Sequence, residues 1–548
     1  MIEQPTNPDT EVTASGIRSL PRRQLIITMG GVMLAMFFAS LDQTIVGTAM
    51  PTIMRELGGS SHYTWVATAY LISSTITVPV VGKLTDIYGR KWFYVGGLII
   101  FIIGSVLCGL SQTVLHIILF RGLQGIGAGI MIANAFIVVG DLFPPSERGK
   151  YQGLVAGVFG LSSIIGPILG GFITDELSWH WVFFVNVPFG LLIIALFIIF
   201  FPNIRPDILE HKIDFAGVAT LILAIIPCML ALSWAGVTYP WESPVILGMF
   251  AFSIVMIGIF ILVEGRAKEP IMPLWLFKNE IISISMIVIF ITGFGMMGSI
   301  IFIPLYFQGV LGSSATASGS FLTPMMLGVI AGSVLSGQLL SRKGGHYRIQ
   351  GIFGLAVMAL GMWLLSTMTT NTSYLIAVIY IVITGFGLGN TMPLYVIAVQ
   401  NAVPHSVLGV ATSSTAFFRQ IGGVFGLAIL NSVMNNRFIE EYPSAYPDEI
   451  QNQINQLKDV ISDKDLALIN SIPDDPLQLL SEQTQNVLFQ INEQLGPDVN
   501  ELIGYIMAPI KPALSSAITH VFFISLFVIL SAWLVNFFIK EIPLRKEH

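Results

Sequence analysis

The chain has 548 residues, of which 54% are hydrophobic and only 11% are charged, and its net charge is −6. Soluble domains carry about a quarter charged residues, so this composition excludes a set of ordinary soluble domains. The acidic balance excludes the basic surface of a nucleic-acid-binding protein. Cys108 and Cys228 both lie inside apolar blocks, so we expect neither a disulfide framework nor a metal cluster.

Apolar windows of about 20 residues, the length that a helix needs to cross a bilayer, recur along the chain. They fall near 25–48, 63–82, 92–111, 115–139, 150–174, 181–201, 213–234, 244–264, 283–307, 317–340, 349–367, 374–400, 408–434 and 516–539. We therefore predict an all-α integral membrane protein with 14 spans. The first window lacks a cleavage site and is longer than a signal-peptide core, so we expect it to be retained.

The distribution of basic residues predicts the orientation. With a cytoplasmic N-terminus, nineteen of the 26 Lys and Arg residues lie in inner segments and five lie in outer ones. An excess of Lys and Arg marks cytoplasmic loops. We expect a multi-pass protein of the cell (cytoplasmic) membrane with both termini inside the cell.

An internal repeat predicts two related halves. Gly82-Lys83-Leu84 with Gly89 matches Gly337-Gln338-Leu339 with Gly344 at an offset of 255 residues, and 125–129 matches 385–389 at an offset of 260. Such repeats form the two halves of secondary transporters. We therefore expect two pseudo-symmetric six-helix bundles and two additional helices. The segments are a cytoplasmic tail (1–24), the first bundle (25–201), the additional helices with linkers (202–282), the second bundle (283–539) and a cytoplasmic tail (540–548).

Asp42 is the only carboxylate well inside a predicted span, because Asp141, Asp214 and Glu264 lie at span ends where we expect water to reach them. An intramembrane carboxylate is energetically costly, so it indicates a functional site such as a proton carrier. The alternative is a structural hydrogen bond near the outer end of the first span.

Two arginines also lie within predicted spans. Arg121 shares a helix face with Gln124, and we predict that these two side chains modulate the proton affinity of Asp42. The alternative for Arg121 is a structural role at helix ends. We interpret Arg419 as the counterpart of Arg121 in the second half, with a structural role equally open.

The loop after the second span is the first of two candidate gating elements. It contains Gly82, Asp86, Gly89, Arg90 and Lys91. Its glycines permit a tight turn, and Asp86 can pair with basic groups or with a helix N-terminus to hold helices together on the cytoplasmic face. The alternative is an ordinary basic inner loop.

The fifth span is the second candidate gating element. Glycines at helical spacing let another helix approach closely, and proline bends the helix. We predict a hinge surface between the halves, for which simple helix packing remains the alternative. Its residues are Gly157, Gly160, Gly166, Pro167, Gly170 and Gly171.

Aromatic and Met residues on several spans are candidates for an adaptable substrate cavity, because polarizable Met side chains suit promiscuous binding. Lipid-facing or core positions are the alternative for each. The candidates are Met33, Phe37, Trp65, Tyr70, Met296, Tyr306, Met325, Met392 and Tyr395, together with Arg419. No phosphate-cradling loop is present, so we expect no nucleotide and no other cofactor, with a proton gradient as the energy source.

The segment 435–515 is the one long predicted outer loop. It carries thirteen acidic and four basic residues, and Ile450, Ile454, Leu457 and Ile461 recur at helical spacing. We predict partly amphipathic helix. Two interpretations remain open: a solvated lid or spacer, and an acidic vestibule that draws cations away from the exit.

With these motifs assembled, the chain resembles the major facilitator superfamily, and within it the fourteen-helix drug:proton antiporters. The resemblance covers about 25–434 and the last span. The segment 41–51 is similar to the first-span signature whose aspartate is linked to proton coupling, except that Gly47 replaces its usual Asn, so a hydrogen-bonding partner is expected to be missing. The loop 82–91 is similar to the gating loop, with Ile87 in place of an arginine.

Further motifs extend the resemblance. Arg121 with Gln124 and Gly125 is similar to the fourth-span proton-transfer motif, and the fifth-span glycine–proline run to the motif that marks exporters. The segments 179–188 and 539–545 also resemble family motifs, with His180 where arginine is common.

The resemblance implies a proton-coupled exporter of small amphipathic molecules that works as a monomer in the lipid bilayer. Because second-half spans lack carboxylates, cationic (monovalent) or neutral lipophilic compounds are the expected substrates. A dedicated exporter of one metabolite, siderophore or lipid-like molecule is the alternative, and a non-transporting receptor or scaffold is a remote one.

Overall fold

The computed structural model describes residues 21–57, 63–202, 213–311, 315–342, 346–443 and 500–544, with 447, 450–452, 454, 463–473, 479, 484 and 487–489 in the remaining segment. The predictions for the N-terminal tail before residue 21, for Leu457 and Ile461, and for the last four residues lie outside this part of the chain.

The described chain is helical. Its helices are α1 (Arg22–Leu57), α2 (Tyr63–Tyr88), α3 (Arg90–Gly109), α4 (Val114–Leu142), α5 (Pro145–Glu176), α6 (His180–Phe184), α7 (Asn186–Phe200), α8 (Phe215–Trp234), α9 (Pro244–Glu264), α10 (Glu280–Gly309), α11 (Ala315–Arg342), α12 (Tyr347–Ser366), α13 (Tyr374–Asn401), α14 (Leu408–Glu441), α15 (Asp463–Ser471), α16 (Asn500–Met507) and α17 (Ile510–Asn536).

Among the described residues, fourteen helices are long and apolar enough to cross a membrane, which confirms the predicted number of spans. The sixth span is continuous over His180–Phe200 and joins α6 to α7. Backbone groups cannot be solvated in hydrocarbon, and a helix satisfies them internally.

Local sequence fixes several helix starts through side-chain caps. The Thr113 side chain accepts a hydrogen bond from the His116 backbone at the start of α4. Asp214 caps α8 in the same way, and Ser243 caps α9 directly before Pro244. A capping oxygen satisfies one of the backbone N–H groups that the first helical turn leaves unpaired.

The two halves repeat each other in three dimensions. The glycines of α4 press its backbone against α2, so that a Cβ on Gly129 would lie 2.6 Å from the Ser74 carbonyl oxygen. In the second half, Gly389 of α13 meets the Val329 carbonyl of α11 in the same way. These pairs are related by offsets of 260 and 255 residues, the offsets of the sequence repeat. The repeated glycines therefore mark the same helix crossing in each half.

The halves meet through two equivalent contacts. A Cβ on Gly82 of α2 would lie 2.9 Å from the Gly409 carbonyl oxygen of α14. Gly337 of α11 approaches the Gly149 carbonyl of α5 even more closely. The same two offsets relate these pairs, so the α2–α14 and α5–α11 crossings are pseudo-symmetric. Only glycine allows backbones to come this near.

The additional helices α8 and α9 pack beside this body. Trp234 of α8 lies edge-on to Trp65 of α2, with ring centroids 5.2 Å apart. On the other side, Trp241 donates a hydrogen bond to Ser432 of α14 at 3.1 Å. The two additional helices and the segment between them therefore contact both halves.

The described part of 435–515 packs onto the second half. Ile450, Ile454 and Ile469 are buried in the same hydrophobic cluster as Met434 of α14. The Tyr442 hydroxyl donates to the Ile506 carbonyl at 2.9 Å. These residues therefore form an anchored cap, and the interpretation as a solvated spacer is wrong for them.

Candidate functional site

Asp42 lies at the centre of a buried polar cluster inside the first half. Its carboxylate is ion-paired with Arg121 of α4. Gln124 and Asn186 donate to Asp42 Oδ1 at 2.8 and 2.9 Å. Asp42 and Arg121 are only 1% and 2% exposed. Three donors from three side chains therefore converge on one carboxylate in a place that water does not reach.

Arg121 is held by more than its ion pair. Its Nη1 also donates to Gln124 Oε1 at 2.8 Å, and its guanidinium lies 4.1 Å from the centre of the Tyr70 ring. The ring face attracts the cation. The Tyr70 hydroxyl donates to the Ala39 carbonyl of α1 at 3.2 Å, so Arg121 joins α1, α2 and α4.

Close helix packing makes the cluster possible. A Cβ on Gly104 of α3 would lie 2.7 Å from the Gln124 Cα, so the two backbones touch. From the same helix, Ser105 accepts a hydrogen bond from Asn186 at 3.0 Å and donates to the Phe183 carbonyl. These contacts fix the direction in which Gln124 and Asn186 point.

Asn186 is a member of this site that the sequence did not assign a role. Its signal was a lone Asn at the junction of α6 and α7, inside a span that is otherwise apolar. Gly47 offers no side-chain donor, as expected from the replacement of Asn, and Asn186 supplies a donor to Asp42 from another helix. Gly47 itself is exposed, and a Cβ there would meet no atom within 4 Å.

The end of α2 and the start of α3 join the halves at one end of the bundle, and the predicted loop 82–91 is helical except for Gly89. Both Asp86 carboxylate oxygens accept backbone hydrogen bonds from α14, from Gly409 and Val410, each at 2.9 Å. Asp86 is also ion-paired with Arg90. The first N–H groups of a helix have no intrahelical partner and carry partial positive charge, so they hold a carboxylate well.

The other loop residues have distinct positions. Gly89 has φ of +89°, a conformation that favours glycine, and it lets α3 start directly after α2. Gly82 packs on Gly409, whereas Lys91 is half-buried and donates to the Ile198 carbonyl at 2.9 Å. Asp86, Arg90 and Gly82 thus belong to the contact between the halves, and Lys91 does not.

Two carboxylates at span ends are buried, contrary to the prediction that water reaches them. Asp141 is fully buried, and its Oδ2 accepts from Arg90 at 2.7 Å, while His405 of the second half lies 3.3 Å from its Oδ1. Glu264 is 3% exposed and accepts backbone hydrogen bonds from the following turn. The folding of neighbouring segments over the helix ends excludes water. Asp214 is half-buried, as expected for a cap.

The glycine-rich helix α5 contacts two partners. Gly166 and Gly170 face α1, where a Cβ would overlap the side chains of Thr44 and Thr48. Gly160 faces α11 of the other half, with a Cβ 3.0 Å from Ile330.

Two glycines of the motif are less constrained. At Gly157 the nearest atom to a Cβ would be 3.6 Å away, and at Gly171 none would lie within 4 Å. Pro167 lies within α5 between Gly166 and Gly170, the two glycines that face α1. The helix therefore connects the Asp42 helix to the second half.

A cavity of about 130 Å³ lies between the halves, lined by α1, α2, α4 and α5 on one side and by α10, α13 and α14 on the other. Methionines and phenylalanines dominate its wall, with a few polar side chains. Representative apolar residues are Met36, Phe136, Phe159, Met296, Met297 and Met392. Asp42 does not line the cavity, whereas its neighbour Gln43 does, because successive helical residues point about 100° apart.

Of the predicted cavity residues, Met392, Met296 and Arg419 line this space. The others lie elsewhere, which corrects their assignment in this conformation. Tyr306 donates to the Thr369 carbonyl and Tyr395 to Asn536, so both are bound within the second half. The remaining ones pack in helix interfaces or in the core of one half: Met33, Phe37, Trp65, Tyr70 and Met325.

Sequence periodicity missed the α1 wall of the cavity. Met36, Ser40 and Gln43 recur at i, i+4 and i+7, and this spacing puts them on one face. Met33 shares this face but lies outside the cavity lining, and Phe37 is turned by about 100° from Met36. The polar pair Ser40 and Gln43 was the available signal.

Arg419 is not the counterpart of Arg121. The offset of 260 residues that relates Gly125 to Gly385 relates Arg121 to Ile381 of α13. The same offset relates Arg419 of α14 to Phe159 of α5, and both of these line the cavity. The second half therefore lacks a copy of the Arg121 site.

Fourteen spans in two pseudo-symmetric halves around a central cavity define a secondary membrane transporter. The chain belongs to the major facilitator superfamily, whose family model matches residues 32–427. The prediction of family and fold is confirmed.

Particular relatives are similar over most of the chain. The multidrug transporter protein MdtP of Bacillus subtilis (strain 168) is 44% identical over 458 residues, which cover 82% of this chain and 84% of the relative. Multidrug resistance protein 3 of the same organism is 40% identical, covering 76% and 81%. The crystal structure of the human organic anion transporter MFSD10 has a TM-score of 0.59 at 12% identity, covering 93% of this chain and all of that one, and shows the shared fold.

Proposed function

We propose that this transporter is a proton-coupled exporter of small amphipathic compounds, of the multidrug efflux type that its bacterial relatives are named for. One observation carries the proton-coupling part: Asp42 is a carboxylate buried in a membrane span, with donors on both oxygens from Arg121, Gln124 and Asn186. Such a group can hold a proton or release it as the site's access changes. No nucleotide or other cofactor takes part.

The proton site and the substrate cavity are separate, so coupling passes through helices. Protonation of Asp42 neutralises its charge and releases Arg121, which loosens the contact of α1 with α4. The next residues of α1, Gln43 and Thr44, face the cavity and α5, where Thr44 donates to the Ser162 carbonyl at 3.3 Å. A shift of α1 therefore moves both the cavity wall and the helix that contacts the second half.

The cycle follows from these contacts. Substrate enters the cavity from the cytoplasm or inner leaflet while Asp42 is deprotonated. After outward opening it leaves, Asp42 takes a proton from outside, and the return step delivers that proton inside. One buried carboxylate in the proton site gives at least one proton per cycle.

The orientation places the Asp86 contact on the cytoplasmic side. An excess of Lys and Arg in the segments at that end supports cytoplasmic termini and a location in the cell membrane. With the inner ends joined through Asp86 and Gly409, the conformation described here is the outward-facing or occluded one. The functional unit is the monomer, since each chain contains both halves and the complete cavity.

Efflux from preloaded cells tests the function. Ethidium, rhodamine 123 and fluorescein are followed in cells that express wild type or Asp42→Asn at equal membrane abundance, with and without a protonophore. We expect wild-type cells to export at least one dye, the protonophore to stop export, and Asp42→Asn to be inactive. Asp175→Asn, an exposed carboxylate of α5, is the matched control and keeps wild-type activity.

Two results contradict the proposal. Undiminished export by Asp42→Asn places the coupling site elsewhere. Export of no member of the panel, with equal membrane abundance, replaces a multidrug pump by a transporter of a single compound.

A further inference from the structure

The lining of the central cavity carries a positive charge that a substrate of opposite charge would complement. Among the described residues that line it, Arg419 is the one charged side chain, and neither Asp nor Glu is present. The polar remainder consists of amides and hydroxyls, of which Gln43 and Gln420 are the largest.

Helix packing directs Arg419 into the cavity. A Cβ on Gly293 of α10 would lie 3.2 Å from the Arg419 Cα, so the α14 backbone is pressed against α10 at this point. The side chain extends past this contact to α13, where its Nη2 donates to the Met392 carbonyl at 3.2 Å. That carbonyl is a neutral acceptor and leaves the charge of the guanidinium uncompensated.

Two buried arginines of the first half show the contrast. Arg121 is ion-paired with Asp42, and Arg90 with both Asp86 and Asp141. Arg419 forms no ion pair with any residue that the structure describes. An arginine within a span is costly unless it is paired or lines a cavity, so an unpaired one in a binding cavity is a functional group that lacks its partner.

The neighbouring side chain of Gln420 also has a polar atom without a partner. The side-chain oxygen of Gln420 is buried, lines the cavity region and has no hydrogen-bond partner among the described residues. A ligand that fills the cavity can satisfy it with a donor while its anionic group meets Arg419.

We propose that the cavity selects amphipathic organic anions, with the carboxylate or sulfonate of the substrate paired with Arg419 and its apolar body against Met296, Met297 and Phe159. This inference rests on the proposed export function and specifies its substrate class. It departs from the expectation of cationic or neutral substrates. That expectation came from the absence of carboxylates in second-half spans, and the same absence leaves Arg419 without an internal counter-ion.

Equilibrium binding to the purified protein in uncharged detergent tests the inference independently of transport. Fluorescein and rhodamine 123 share a xanthene body but carry opposite charges at pH 7.5, and fluorescence anisotropy measures both. A charge-assisted, bidentate pair in a desolvated cavity favours fluorescein by about tenfold or more. We expect wild type to bind fluorescein more tightly than rhodamine 123 by that factor.

Three variants separate a binding role from a structural one. Arg419→Gln loses about tenfold or more in fluorescein affinity and does not lose rhodamine 123 affinity, because repulsion of the cation is removed. Arg419→Lys retains the charge but not the bidentate geometry, so its fluorescein affinity lies between those of wild type and Arg419→Gln. Arg437→Gln removes an arginine from the exposed end of the same helix and leaves both affinities unchanged.

The outcomes are decisive. Tighter binding of rhodamine 123, no binding of fluorescein, or unchanged fluorescein affinity in Arg419→Gln each overturns the anion proposal. Equal loss of both dyes in Arg419→Gln, with unchanged thermal stability, also overturns it, since the arginine then shapes the cavity without selecting charge. If only the proposed export function is wrong, fluorescein still binds and its binding depends on Arg419, but cells show no protonophore-sensitive efflux.

Discussion

The side-chain amide of Asn186 donates a hydrogen bond to Asp42 Oδ1 at 2.9 Å across the interface of α7 and α1. The two residues are 144 positions apart in the chain. The same amide bonds Ser105 of α3, so Asn186 ties the sixth span to the proton-coupling candidate. The charged form of the carboxylate therefore depends on a helix that contributes nothing to the cavity.

Asn186→Leu tests this dependence. A hydrogen bond to a charged group contributes about 1.5–3 kcal/mol, and the substitution removes one of the donors that hold the Asp42 carboxylate in place. We expect export to fall about tenfold.

The control for this variant is Asn134→Leu, since Asn134 is equally buried but donates to the Ile130 carbonyl within its own helix. It is expected to keep wild-type export. Equal export by Asn186→Leu and Asn134→Leu would show that the hydrogen bond to Asp42 contributes nothing to transport.

Asp86→Ala is expected to release the inner contact between the halves. It removes two backbone hydrogen bonds from α14 and one partner of Arg90. The loss of charge-assisted bonds shifts the population toward separated inner ends by about tenfold or more. The measurement is maleimide labelling of Ser413→Cys, a buried position against Gly82, after Cys108 and Cys228 are replaced by Ala.

Glu147→Ala removes an exposed acid near the same end of the bundle and leaves the labelling rate unchanged. Equal labelling rates for Asp86→Ala and its parent would show that Gly82–Gly409 packing alone holds the halves together.

The glycines of α5 are expected to differ in their tolerance of alanine. Gly166→Ala and Gly170→Ala introduce a methyl group into the α1 contact, and overpacking of this kind costs about 1–3 kcal/mol. Gly157→Ala and Gly171→Ala place the methyl in ordinary contact or open space and should be neutral. Thermal stability and dye efflux at equal membrane abundance measure the difference. Uniform effects at all four positions would remove the packing explanation.

Lys83 of the gating loop is ion-paired with Glu269, which follows α9. We expect Lys83→Glu to reduce stability by about 0.2–1 kcal/mol, as for a partly exposed pair, and the charge-swapped double variant Lys83→Glu/Glu269→Lys to recover most of it. A thermodynamic cycle over Lys83→Glu, Glu269→Lys and the double variant gives the coupling energy. A coupling energy of zero would mean that this ion pair does not help to attach the additional helices.

The fold was accessible from sequence because hydrocarbon leaves few options. Each of the fourteen apolar windows corresponds to a helix, since a span must satisfy its own backbone, although some helices extend beyond their windows, as α1 does by nine residues to Leu57. The repeat offsets of 255 and 260 residues also identified equivalent helix crossings, because close crossings require glycine and the requirement is visible in the sequence.

The lone intramembrane carboxylate and its arginine were visible for a similar reason, since charge is rare in such segments. Their mutual contact was not, and neither was the contribution of Asn186. Distant residues meet according to the rotation of each helix about its axis, which sequence periodicity specifies only approximately.

The sequence by itself determined the spans, the two related halves and the few charged residues within the spans. Each of these features is visible in the residue types, because hydrocarbon requires apolar side chains and close helix crossings require glycine. Only the tertiary structure decided that Asp141 and Glu264 are buried, that Met36 rather than Phe37 faces the cavity, and that Arg419 has no counter-ion there among the described residues. These outcomes depend on how α1, α10, α13 and α14 are rotated and packed. A rotation of one residue, about 100°, is enough to turn a side chain from the cavity into a core.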